Sequence, residues 1–173
     1  MIRPVKVLVK GQKYRSKTEG RWAIFFDALN IDFQYEPRYF KLLWSEPSPL
    51  SSYEDNTYKK YLPDFWIPLK TDENAGAGLW VEIKGSETSA EELIKLQLLT
   101  NKTGHYGYIF QGPPGSPKVY QTGRNGKCGL NPNGHEWAFD YFNTRVYVGN
   151  EGVSLEVNEA VRKANEYDFE QAE

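Results

Sequence analysis

Apolar and polar positions change rhythm several times along the chain, and each change marks an element. Residues 4–9 (PVKVLV) alternate in part, which predicts a short strand or an extended arm. Trp22, Phe25, Phe26 and Leu29 then recur at i, i+3, i+4 and i+7, the apolar stripe of a core-facing helix. Ser16 and Glu19 stand at capping-box spacing ahead of that stripe, and Asn30 supplies a stop after it. Residues 33–43 (FQYEPRYFKLL) read as extended. Residues 44–59, rich in Ser, Pro, Glu, Asp and Asn, read as a loop or insertion.

The second half repeats the alternation of types. Residues 61–69 (YLPDFWIPL) predict a strand entered through Pro63, and 70–78 a flexible connector. Residues 79–84 (LWVEIK) predict a strand broken by Gly85. Leu93, Leu96 and Leu99 share a stripe of a helix over 87–102, with Glu91 and Lys95 as a supporting pair. Residues 106–111 (YGYIFQ) predict another strand. Residues 112–134 hold six Gly and four Pro and read as loop, 137–148 as a strand or strand pair, and 154–170 as a closing acidic helix. The order helix, three strands, helix, strand, with hairpin-like connections early on, is an α/β pattern with a mixed sheet.

Composition narrows the class. With 173 residues, 39% hydrophobic and 15% aromatic, the chain has the length and apolar content of one ordinary domain with a real core. The single cysteine, Cys128, forms no internal disulfide, which points to a reducing compartment. No apolar run reaches the ~20 residues of a membrane span, and none suits a secretory leader. The expected setting is therefore the cytoplasm, with no membrane partner. One cysteine and two histidines, His105 and His135, argue against structural zinc. The net charge of -2 hides a gradient. Residues 1–21 carry seven basic side chains and one acid, whereas 151–173 carry two basic and seven acidic. A basic segment leading into a helix suits phosphate contact, although on charge alone a solvated charged face is the readier explanation.

Chemistry concentrates in three acids and a lysine. Glu19 opens the first helix, Asp64 follows Pro63 at the start of a strand, and Glu82 and Lys84 end the next. Side chains alternate along a strand, so Glu82 and Lys84 share a face and Val81 and Ile83 the other. If the two strands pair antiparallel, Asp64 comes beside the Lys84 end. Two carboxylates held together repel and raise each other's pKa. A divalent cation such as Mg²⁺ relieves that cost and takes oxygen ligands. Taken singly, Glu19 is explained by the capping box, Asp64 by a turn, and Glu82 with Lys84 by an exposed strand face. Their joint order on successive elements is much harder to explain that way.

Pro63-Asp64, 17 residues, then Glu82-Ile83-Lys84 resembles the signature of the PD-(D/E)xK superfamily, the restriction-endonuclease-like nucleases. The phrases YRSKTEGRWAIFFDAL, YLPDFWIP and WVEIKG look similar to small nucleases of bacteriophages and mobile elements. The resemblance implies an αβββαβ core over 14–111 and a bacterial host cell as the setting. It says little about the basic N-terminal arm over 1–13 or the Gly/Pro-rich loop, strand and acidic helix appended over 112–173. It implies hydrolysis of DNA phosphodiester bonds with Mg²⁺ or Mn²⁺. Asp64 and Glu82 would be metal ligands, Glu19 a third or water-bridged one, the Ile83 carbonyl a further contact, and Lys84 the catalytic lysine. The basic residues beside Glu19, namely Arg15, Lys17 and Arg21, would hold phosphates. The expected partner is DNA, with a second copy or a phage protein as a further one. The alternative is a nucleic-acid-binding or phage assembly module that keeps the fold without turnover.

Overall fold

The computed structural model describes residues 4–45, 56–69, 76–122, 128–130 and 153–172. Helix α1 (Lys17–Ala28) begins at an N-cap, Ser16, whose Oγ accepts from the Glu19 N–H at 3.2 Å. Its stripe buries Trp22, Phe25 and Phe26 to 1% exposure or less. Each side chain of that size contributes about 1.5–3 kcal/mol by leaving water. Asn30, at φ +53°, takes the left-handed conformation that ends the helix.

The architecture is mixed α+β. The strands are β1 (Val7–Val9), β2 (Gln12–Tyr14), β3 (Gln34–Tyr35), β4 (Phe40–Ser45), β5 (Asn56–Tyr61), β6 (Phe65–Pro68), β7 (Gly78–Lys84), β8 (Tyr106–Gln111), β9 (Lys118–Thr122), β10 (Cys128–Leu130) and β11 (Glu170–Gln171). Helices α2 (Ala90–Thr103) and α3 (Val153–Glu166) complete the described elements. Six strands form the main sheet in the order β10-β9-β8-β7-β6-β3. Within it only β7 and β8 run parallel, and α2 is the crossover such a pair requires. Strand β7 is buried along almost its whole length, which is why LWVEIK carries apolar residues on both faces.

Each face of the sheet has its own core. Phe65, Ile67, Val81, Ile83 and Phe110 pack on the side of α1. Trp80 and Ile109 pack on the other side with Leu96 and Leu99 of α2. A Cβ at Gly107 would stand 2.7 Å from Thr100 and 2.8 Å from Leu96, so glycine lets α2 lie close on β8. Helix α3 seats Ala160 and Ala164 in the α1 core. No helix among the described residues is long and apolar enough to cross a membrane.

Several segments differ from the sequence reading, among them the closing helix read over 154–170, which ends at Glu166 ahead of β11. Residues 33–43 are not one extended piece: β3 and β4 belong to different sheets, parted at Glu36, whose φ is +46°, and Pro37. Residues 44–59 are not all loop, because β4 and β5 pair from Phe40↔Tyr61 to Ser45↔Asn56 as a separate antiparallel ribbon. Tyr61 thus ends β5 and is not in β6. Within 112–134, β9 and β10 extend the main sheet as antiparallel strands. The short strand read over 4–9 is found as β1, which turns back into β2 as a hairpin. Lys10 and Gly11 turn at φ +49° and +80°, as a two-residue hairpin turn of this hand requires, and β1 also pairs with β11. The strand read over 137–148, and His135, lie outside the described residues.

Candidate active site

The antiparallel register of β6 and β7 sets Phe65 opposite Val81. Asp64, one residue earlier, therefore reaches the end of β7, and its Oδ2 accepts from the Ile83 N–H at 2.7 Å. The alternation places Val81 and Ile83 in the α1 core, as the sequence implied. Glu82 and Lys84 project from the other face. The Lys84 ammonium lies 2.9 Å from Glu82 Oε1 and 3.0 Å from Glu92 Oε1. Tyr61 Oη donates to Glu82 Oε2 at 2.8 Å, so both Glu82 oxygens are oriented.

Glu19 makes only half of a capping box. Ser16 Oγ caps its N–H, but its carboxylate turns elsewhere. It accepts from Ser16 Oγ at 2.9 Å, the Arg15 N–H at 3.2 Å and Tyr35 Oη at 2.5 Å. The Arg15 guanidinium spans the remaining gap. It donates to Asp64 Oδ1, lies 2.7 Å from Glu36 Oε1, and is 3.9 Å from Glu19 Oε2.

Glu19, Asp64, Glu82 and Lys84 wall one cavity of about 670 Å³, with Arg15, Lys17 and Ile83 also on its walls. All four acid and lysine positions read from the sequence are thus brought together. Arg21 is not on those walls; it lies one helical turn beyond Lys17, partly buried. His105 lies away from the cavity, with its ring edge-on to Trp66 of β6 at 4.8 Å.

Burial is severe for these charges. Asp64, Glu19 and Glu82 are 1%, 7% and 7% exposed. The Asp64 carboxyl is pushed well above its usual range, first by burial and then by Glu82 and Glu19, against which the Ile83 N–H and Arg15 only partly act. Burial alone would lower the Lys84 pKa, but Glu82, Asp64 and Glu92 outweigh it and the ammonium is held protonated above its ordinary value. Tyr35 and Tyr61 are both raised, by burial first and their carboxylate partners next. Each therefore stays a proton donor that fixes a carboxylate.

The donor set suits a hard dication. Asp64 and Glu82 offer four oxygens with about eight lone-pair sites, and the four protein partners leave others free. Among the described residues no three acidic, imidazole or thiolate groups gather as a ready metal cage. A magnesium site needs less, since the ion keeps several waters and takes one or two carboxylates with substrate phosphate.

Three residues that hold the site are not singled out by the sequence reading. Tyr35 and Tyr61 fall in segments read there only as extended chain and strand. Glu92 does carry a local signal, because Ser89-x-x-Glu92 has capping-box spacing, and both reciprocal bonds form. One Glu92 oxygen closes that box while the other receives Lys84. Comparison with known proteins gives no matching family model, no similar curated protein and no similar solved structure.

Proposed function

We propose that the chain is a metal-dependent endonuclease that hydrolyses DNA phosphodiester bonds, built on the restriction-endonuclease-like core. The observation that carries this reading is the convergence of Glu19, Asp64, Glu82 and Lys84, from three separate parts of the fold, on one cavity. The element order supports it: α1, β3, β6, β7, α2 and β8 follow the αβββαβ order, with the β4–β5 ribbon inserted after the first strand.

Asp64 and Glu82 would hold Mg²⁺ or Mn²⁺, with Glu19 and the Ile83 carbonyl as further contacts. Bound there, such an ion acidifies water and neutralises charge on the phosphodiester. The residues divide the rest of the work. Lys84, beside Glu82 and Glu92, would act as a cation toward phosphate oxygens. Tyr35 and Tyr61 hold Glu19 and Glu82 in orientation. Arg15 and Lys17, also on the cavity walls, would hold flanking phosphates. Hydrolysis joins a water oxygen to phosphorus, breaks the bond to the leaving oxygen, and delivers the water's proton to that oxygen.

One observation favours the non-catalytic alternative. Arg15 already pairs with Asp64, as a guanidinium would in a site that no longer takes a metal. Titrating Mn²⁺ into the protein while following melting temperature and plasmid nicking separates the two. The nuclease reading expects a stabilisation that grows with ion concentration, about 2.7 kcal/mol at a hundredfold excess over Kd, and one that Asp64→Ala abolishes along with cleavage. No thermal shift and no cleavage would leave the binding-module reading.

A further inference from the structure

We infer that the outward face of the β4–β5 ribbon is a docking surface for duplex DNA that leads into the active-site cavity. This rests on the nuclease reading for its purpose, but not for its test. The ribbon's inward side chains are accounted for: Phe40, Leu42 and Tyr61 are buried against α2 and Trp80. The outward side chains are of another kind. Lys41 and Lys60 are direct cross-strand partners, and so are Leu43 and Tyr58. Lys41 and Lys60 are exposed, Tyr58 is 64% exposed and Leu43 43%.

A directly opposed pair of like charges on a sheet face is destabilising. Among the described residues neither lysine has a carboxylate partner to offset it. Lys60 rests its ammonium 3.7 Å over the ring of Tyr39, itself 58% exposed. Lys102 reinforces the positive side, its Nζ donating to the Lys41 carbonyl at 2.9 Å. Residues 37–45 and 56–62 contain no acid; of their bases, Lys59 lies across from Leu42 on the inward face and 3.5 Å from Glu91, which leaves Arg38, Lys41 and Lys60. A surface of opposed cations interleaved with exposed aromatics is complementary to a polyanion that also offers apolar contact.

Continuity with the site selects nucleic acid over another anion. Tyr39 and Lys60 wall a cavity of about 310 Å³ whose other walls include Glu82, Lys84 and Lys95. The next residue after Lys60 is Tyr61, which holds Glu82. A phosphate run crossing the ribbon thus arrives at Lys84. The two-stranded antiparallel form selects the duplex, because the major groove of B-DNA admits a ribbon of this width.

The test is binding of a short fluorescein-labelled DNA duplex to the full chain in EDTA, read by anisotropy across a salt series. Wild type, Lys41→Gln/Lys60→Gln and Tyr58→Ala are compared, and single-stranded DNA of the same length competes. The double variant is expected to bind more weakly and to lower the salt slope by about 1.8, since each phosphate that is no longer neutralised takes ~0.9 from it. Tyr58→Ala is expected to weaken binding at unchanged slope. The double variant's melting temperature should hold or rise, since it removes a like-charge repulsion. Unchanged affinity and slope in the double variant would overturn the inference, as would tighter binding of the single strand. Because EDTA prevents turnover, a chain that binds duplex through the ribbon yet never cleaves would overturn only the nuclease reading. A chain that cleaves while ribbon variants bind as wild type would overturn only this one.

Discussion

Asp64 is the residue on which the account turns, and its burial makes a pH signature. Its folded pKa lies above the unfolded value of about 3.9, so the folded state holds the proton over a wider range. Stability from this group is present at low pH and lost as pH rises from about 4 through the folded pKa. Denaturant unfolding of metal-free wild type and Asp64→Asn should therefore give a stability difference that changes across that window. A pH-independent difference would mean that Asp64 is not perturbed. Lys84→Ala leaves Glu82 and Glu92 without the ammonium that lies 2.9 and 3.0 Å from them. The expected cost in cleavage rate is about 10²–10³, the size of losing one preorganised electrostatic stabiliser. These residues were legible because strand alternation and motif order fix them within a short stretch. Their holders were not. Tyr35 meets Glu19, and Tyr61 meets Glu82, only through the fold, and no local period marks such contacts.

At the scale of the element, helix α1 links packing to the site. Phe26, in its last turn, is fully buried against Phe33 and Phe65, and Phe65 adjoins Asp64. Phe26→Ala should cost about 3–5 kcal/mol in urea unfolding. Ser16→Ala removes the N-cap and one donor to Glu19, for about 1 kcal/mol of stability. The caps of α1 were readable because they are local patterns. The β4–β5 ribbon was missed because the Ser, Pro, Glu, Asp and Asn content of 44–59 reads as one loop. The break at Glu36 was missed because a left-handed glutamate leaves no signal in sequence. Strands β9 and β10 lay hidden among the Gly and Pro residues of 112–134.

Across the molecule, the charge gradient acquires a physical meaning. The basic N-terminal hairpin and the acidic C-terminal segment meet, β1 pairing with β11 and α3 packing on α1. A Cβ at Gly20 would stand 2.8 Å from the Phe169 ring and 2.9 Å from Val7, so the closing segment touches the helix that carries Glu19. Deleting 153–173 uncovers that face of the core, and a lower melting temperature is expected. An unchanged one would show that the segment is a separable appendage. The order of helices and central strands was visible in the sequence, whereas this closure was not, because pairing between chain ends is wholly non-local.

The most direct measurement of the central claim is cleavage of supercoiled plasmid by wild type and Lys84→Ala, purified side by side, with Mg²⁺, Mn²⁺ or EDTA. The nuclease reading expects nicking by wild type with either ion, none in EDTA, and a fall of about a hundredfold or more in the variant. Equal cleavage by the variant, or cleavage by wild type in EDTA, would contradict it.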